Sequence, residues 1–437
     1  MPRSTAQLLD ALLTDRARSQ RDRLADVVGL RAALSALDDA ALLVALRGIR
    51  AEFDSKKLRS RVDGLLGELR RDGQPGSAPL PKLAVPRPEP TAPSSTELEH
   101  EALRERLLRA IALDPRDREP RAVYRDWLEQ AGLVEDGRVR LGPLAELGDY
   151  LPELEWSRGF VRAARVRFPL ARFAARDPVE LPAVIRALLD EPGPGALIER
   201  LVVGLVRPDA NDYAEVCAAI GGRLRPALVE LELGDFEPEE CELNWTTLDA
   251  TRLWAGVPNL RKLWLRAGAM VLDGLALPRL RELETVTGGL SPAALTAIAS
   301  ADWPELERMQ LQIGAAGEGA ATDVELLAPI LAGERLPKLT HLGLRNCEFS
   351  DAICEALVAA PILRRLRSLD LAMGTLSDAG VDVILRHADA FRQLEHIDVD
   401  DNYLSQAALA RLEALGPRIE IGFQREDHGG RYASAIE

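Results

Sequence analysis

From about residue 196 onward one pattern returns again and again: an apolar residue, a second three places on and a third two places after that, LxxLxL. Eight copies align, with first members Ile198, Leu228, Leu260, Leu280, Leu306, Leu339, Leu366 and Leu394, at intervals of 30, 32, 20, 26, 33, 27 and 28 residues. A unit of this size cannot bury its own apolar triplet, so neighbours must stack and share one continuous core. The ninth position of the units reads Gly268, Gly288, Gly314, Cys347, Gly374 and Asn402, small or turn-forming residues where the chain leaves the strand. Beyond it, Leu290-Ser291, Phe349-Ser350, Leu376-Ser377 and Leu404-Ser405 place a hydroxyl where a helix N-cap is expected. Each unit is therefore expected to run strand, turn, helix, with a further short strand at Ile419 and Ile421 and a polar tail closing the stack.

This arrangement resembles the ribonuclease-inhibitor-like leucine-rich repeat. The resemblance implies an α/β fold: a leucine-rich-repeat solenoid over 196–437, parallel strands lining the concave side and helices the convex side.

Ahead of the repeats the chain changes character three times. Residues 1–72 carry apolar residues at helical spacing, among them Leu8, Leu12, Val27, Leu42, Leu46, Val62 and Leu69, and read as a small all-α module. Its charge is mildly basic, and the module offers a place for a second partner or for self-association. Residues 73–96 hold seven prolines without helical or alternating periodicity. They read as a tether that extends to roughly 70 Å at about 3.1 Å per residue. The stretch 98–132 then shows a helix, an Asp114-Pro115 turn and a second helix, with Leu107, Leu108 and Ile111 facing Val123, Trp127 and Leu128. Asp114, Pro115, Arg121, Tyr124, Asp126, Trp127, Leu128, Glu129 and Gly132 resemble the repeat-companion module found beside leucine-rich repeats in myxobacterial and planctomycete proteins. Trp156, Arg158, Gly159 and Phe160 resemble the bridge that joins this module to the repeats. Arg125 and the insertion after Gly132 depart from that pattern. A companion domain with its bridge is thus expected over 97–195.

Charge and composition narrow the function. The formal charge of -14 repels polyphosphate and anionic lipid, which argues against nucleic acid or a membrane surface as partner. No segment reads as a signal peptide or a membrane span, and Cys217, Cys241, Cys347 and Cys354 lack CxxC spacing, so a cytoplasmic chain with reduced thiols is expected. Fifty Arg against five Lys point to a GC-rich bacterial genome.

Strand alternation assigns Glu230, Glu232, Lys262, Trp264, Arg266, Glu282, Glu284, Arg308, Gln310, Gln312, His341, Arg345, Ser368, Asp370, His396, Asp398 and Asp400 to the concave surface. Trp264, with Arg266 and Arg308 near it in the pattern, has the composition of a binding hot spot, and packing against a neighbour is an equally open role. Asp370, Asp398, Asp400 and Asp401 form an acidic patch at the far end. The partner-binding set is Lys262, Trp264, Arg266, Arg308, Gln310, Gln312, His341, Arg345, Asp370, His396, Asp398 and Asp400.

No catalytic signature accompanies these residues. GxxxxGK[ST], GxSxG and HExxH are missing, and the GAAGEGAAT stretch at 314–322 has no phosphate-binding Lys and reads as a flexible insertion. DVDDN at 398–402 begins like a calcium loop, but Tyr403 stands where Gly is required. No metal, cofactor or catalytic residue is expected. The expected role is a non-enzymatic scaffold or adaptor that binds a protein. An inhibitor or regulatory subunit of an enzyme stays open, as does an enzyme with its site outside the repeats.

Overall fold

The computed structural model describes residues 117–433 apart from 131, 174–177 and 191–192, together with 103, 106, 107, 110 and 111. The helical module expected over 1–72, the linker 73–96, Leu108 and the Asp114-Pro115 turn lie outside the described residues.

The first described elements are α1 (Arg118–Gln130) and the strands β1 (Val134–Glu135) and β2 (Arg138–Val139). Tyr124 and Leu128 of α1 are buried with Ile111 and Phe160, and the Tyr124 ring stacks on Phe160 and Trp127 at centroid distances of 5.8 and 5.9 Å. These aromatic residues are packing groups. Part of the stretch read as an insertion is in fact a hairpin: Asp136-Gly137 takes positive φ at both positions, as a type I′ turn between short strands demands. The bridge forms a second hairpin, β3 (Glu153–Ser157) and β4 (Phe160–Val166), turned by Arg158-Gly159, again both at positive φ.

From β4 the chain builds one large sheet. Its strands are β5 (Arg200–Gly204), β7 (Glu230–Asp235), β9 (Lys262–Arg266), β11 (Glu282–Val286), β12 (Arg308–Gly314), β13 (His341–Cys347), β14 (Ser368–Asp370), β15 (His396–Asp398) and β16 (Arg418–Glu420). The eleven strands lie in the order β16-β15-β14-β13-β12-β11-β9-β7-β5-β4-β3, parallel except for β3 against β4. The second members of the triplets, from Leu201 through Leu231, Leu263, Leu283, Met309, Leu342 and Leu369 to Ile397, pair strand to strand and are buried. The boundary expected between 195 and 196 falls inside this sheet, because the bridge hairpin hydrogen-bonds directly to the first repeat strand.

Helices α2 (Leu181–Leu189), α3 (Ala214–Gly221), α4 (Pro292–Ser300), α5 (Ala328–Ala332), α6 (Ser350–Val358), α7 (Asp378–Arg386), α8 (Ala388–Phe391) and α9 (Gln406–Glu413) connect the strands. Not every unit has one. Between β7 and β11 the chain instead forms β8 (Thr246–Asp249) and β10 (Ala269–Val271), which join β6 (Asn211–Asp212) in a small parallel sheet touching α3 and α4. The unit from Leu260 to Leu280 is only 20 residues long, too short to close a strand, two turns and a helix.

Three expectations about the turns and loops change. Ser291, Ser377 and Ser405 cap their helices, but Ser350 lies inside α6 and donates to the Cys347 carbonyl, at 2.9 Å, while accepting from Thr375 N. The small residues of the ninth position are set mainly by close approach: a Cβ at Gly374 would lie 2.3 Å from Ser350 Oγ. In the last three units the left-handed backbone sits one residue earlier, at Asn346, Met373 and Asp401, whereas Gly314 takes it at the ninth position itself. The 314–322 stretch is held in place: Ala316 N donates to Glu348, Ala321 N donates to Leu290 O, and Ala320 and Ala321 are buried.

Past β16 the tail folds back. Arg425 donates to the carbonyls of Gly374 and Asp401, and Arg431 donates to Thr375 O and pairs with Asp351 at 2.9 Å.

Candidate functional site

Because alternate residues of a strand point to opposite faces, the buried triplets leave an open sheet face ordered in rows. The first row runs Arg200, Glu230, Lys262, Glu282, Arg308, His341, Ser368, His396 and Arg418, one residue per strand. Charges alternate across its first five strands, and two cross-strand pairs result: Arg200 with Glu230 at 3.9 Å and Lys262 with Glu282 at 3.1 Å. Arg308 is exposed between Glu282 and His341. His341 Nδ1 lies 2.8 Å from Thr340 Oγ1, and burial, reinforced by Arg308, holds its imidazole below the usual value. His396 Nδ1 lies 3.4 Å from Ser368 Oγ.

The second row is different. From β7 to β16 it reads Glu232, Trp264, Glu284, Gln310, Gly343, Asp370, Asp398 and Glu420, with no basic residue. Trp264 is partly exposed, and its immediate neighbours are these two glutamates, not the arginines that the linear pattern places near it. Arg266 is turned away to the preceding loop, its guanidinium 4.6 Å from the Phe236 ring centroid and donating to the Phe236 carbonyl. Burial, with Asp235 in support, pushes the Glu232 carboxyl up against the opposing pull of Arg200 and Arg165.

The acidic patch is largely committed to backbone. Asp370 accepts from Ala372 N, Asp398 from Asp400 N and Asp400 from Phe423 N, while Asp401 pairs with Arg425 at 3.0 Å. Burial raises the Asp370 carboxyl, and Arg345, 3.5 Å away, pulls against it. Arg345 also donates to Met373 Sδ, at 3.4 Å. Gln312, expected on the surface, is buried at 7% exposure, and its Oε1 has no hydrogen-bond donor.

The structure thus brings Lys262, Trp264, Arg308 and Gln310 together on the open face, keeps His341 and His396 on its first row, takes Arg266 and Arg345 into structural contacts and buries Gln312. Sequence reasoning missed the end of the face next to the bridge, where Glu153, Glu155, Arg165, Arg200, Glu232 and Asp235 line a cleft. The signal was present in the alternation of Glu153-Leu154-Glu155-Trp156.

The four cysteines are free and buried, with the Cys217 and Cys347 thiols pushed up to about 12 by desolvation. Among the described residues no three His, Cys, Asp or Glu side chains gather as metal ligands would, and no helix is long and apolar enough to cross a membrane.

Fold and site together define a mixed α/β protein built on a large, mostly parallel sheet of leucine-rich-repeat-like units. No protein-family model matches the chain, and no curated protein matches it. Among solved structures it is similar to a protein of Bacteroides fragilis, at 23% identity over 59% of this chain and 78% of that one, with a TM-score of 0.52. An internalin of Listeria monocytogenes aligns at 15% identity over 65% of this chain and 94% of that one, with a TM-score of 0.25. The likeness to the Bacteroides protein concerns the fold alone.

Proposed function

We propose that the chain is a non-enzymatic scaffold or adaptor whose repeats form a solenoid and take a protein partner on its concave, open sheet face. The observation that carries this reading is Trp264, a partly exposed aromatic on a polar sheet whose adjacent row of charges is already arranged by cross-strand pairing. A rigid platform of this kind loses little side-chain freedom on association, and buried aromatic anchors dominate such interfaces. The helical module at 1–72 and the companion domain at 97–195 serve as further attachment points, joined by the tether at 73–96.

Photocrosslinking tests the reading. A photoreactive residue at Trp264 should capture a protein from native lysate, and the same group at Glu355 of α6 should not. A Trp264→Ala variant should fold normally and bind that protein at least about tenfold more weakly, the loss expected of a central hot spot. Equal capture from both positions, or unchanged binding, removes the open face as the receptor.

A further inference from the structure

We propose that the second row of the open face is a docking track for an extended basic segment of a protein, with one Arg or Lys seated on Trp264 between Glu232 and Glu284. The inference rests on the open face being the binding surface and adds the chemistry of what it binds.

Three observations point the same way. The first is imbalance between adjacent rows. Glu230 and Glu282 of the first row each have a cross-strand cation, at 3.9 and 3.1 Å. Among the described residues Glu232 and Glu284 have no ion pair within 4.0 Å, and the cations nearest in effect to Glu232 are engaged elsewhere: Arg200 with Glu230, Arg165 with Asp235 and Glu153. A half-buried carboxylate without a counter-charge is costly in the unbound protein and gains most from an incoming cation.

The second is geometry. Adjacent strands lie about 4.8 Å apart, so the two carboxylates flank the indole at a separation of roughly 10 Å, with room for one cationic head above the ring. A cleft of about 490 Å³ lies at this place, and of the cations that line it beside Glu232, Trp264 and Glu284, Arg200 and Lys262 are paired with Glu230 and Glu282. An aromatic face with flanking carboxylates attracts a cation by its quadrupole and by charge together.

The third is continuity. The row continues through Gln310 and Gly343 to Asp370, Asp398 and Glu420 over about 34 Å at the same strand spacing and carries no basic residue of its own, while Arg345 and Arg418 of the adjoining rows lie 3.5 Å from Asp370 and Glu420 respectively. Gly343 leaves no side chain in the middle of the path. On the same side of β12, two residues past Gln310, Gln312 Oε1 is an acceptor with no donor in a side chain more than nine-tenths buried. A guanidinium, which carries five donors and no acceptor, matches this acceptor-rich lining. The occupant is accordingly a polypeptide crossing the strands, and a compact anion or an acidic peptide is repelled.

The experiment uses the full-length protein and capped tetra-arginine, with capped tetra-glutamate as the opposite-charge control. Tetra-arginine should quench Trp264 emission, read as the difference between wild type and Trp264→Phe, and tetra-glutamate should not. The Glu232→Gln, Glu284→Gln double variant should weaken binding at least about tenfold, while Glu355→Gln, Glu413→Gln, which removes the same charge from the helices, should change it by less than about twofold. Thermal melting establishes that each variant is folded. Equal loss in both double variants, or binding that leaves Trp264 emission unchanged, overturns the track. If tetra-arginine fails while the crosslinked partner still depends on Trp264, the open face stands and its occupant is not basic. If the partner is indifferent to Trp264 as well, both readings fall.

Discussion

Asn402 is fully buried beside the last strands, its Nδ2 within hydrogen-bond reach of the carbonyls of Leu371, Val399 and Asp400 and its Oδ1 accepting from Leu376 N. One side chain thus satisfies backbone groups from two successive turns. Asn402→Ala should cost about 2 kcal/mol or more in urea unfolding, because it strands several buried polar groups at once. Glu232 lends itself to a pH test. Burial raises its folded carboxyl above the ordinary 4.5, so the folded state favours the protonated form, and stability falls as pH rises through the raised value. Glu232→Gln should therefore be more stable than wild type at neutral pH, with the difference shrinking as pH falls through the raised value and lost below the ordinary 4.5. A gap that persists in acid would remove the carboxylate as its cause. Gln312 and Arg266 show why alternation alone misplaces residues: both obey the outward register, yet one is covered and the other is drawn to Phe236 by a contact 30 residues away in sequence.

At the scale of elements, a chain of carboxylates ties successive helix starts together. Asp351 in the first turn of α6 accepts from Ser377 N and Oγ, and Asp378 in the first turn of α7 accepts from Ser405 N and Oγ. Each serine in turn caps its own helix. Ser377→Ala should cost about 1 kcal/mol, and hydrogen exchange should speed up at Ala379, whose amide loses its acceptor. Unaltered exchange there would mean that the cap contributes nothing. The sequence shows these serines plainly, since a hydroxyl after an apolar residue is a local signal. It does not separate Ser350 from the other three, because what occupies that hydroxyl is Thr375 N, supplied by the next unit. The Asp136-Gly137 and Arg158-Gly159 turns were equally legible, and reading them would have placed the bridge in the sheet.

For the described part of the molecule as a whole, the folded-back tail matters most to the end of the stack. Arg425 and Arg431 connect the last strand to turns of three earlier units, at Asp351, at Gly374 with Thr375, and at Asp401. An Arg425→Ala, Arg431→Ala variant should keep the fold, exchange amides faster at 372–376 and 400–403, and melt roughly 2–4 °C lower. Protection equal to wild type would show that the tail only lies on the surface. The sequence by itself determined the apolar triplets, their register and the parallel order of the strands, because each depends on residues a few positions apart and on the need of every unit to share its core. Only the tertiary structure decided which charges meet. Side-by-side neighbours on the open face come from units 20 to 33 residues apart, so small differences in unit length and turn geometry settle whether Trp264 sits among arginines or between Glu232 and Glu284.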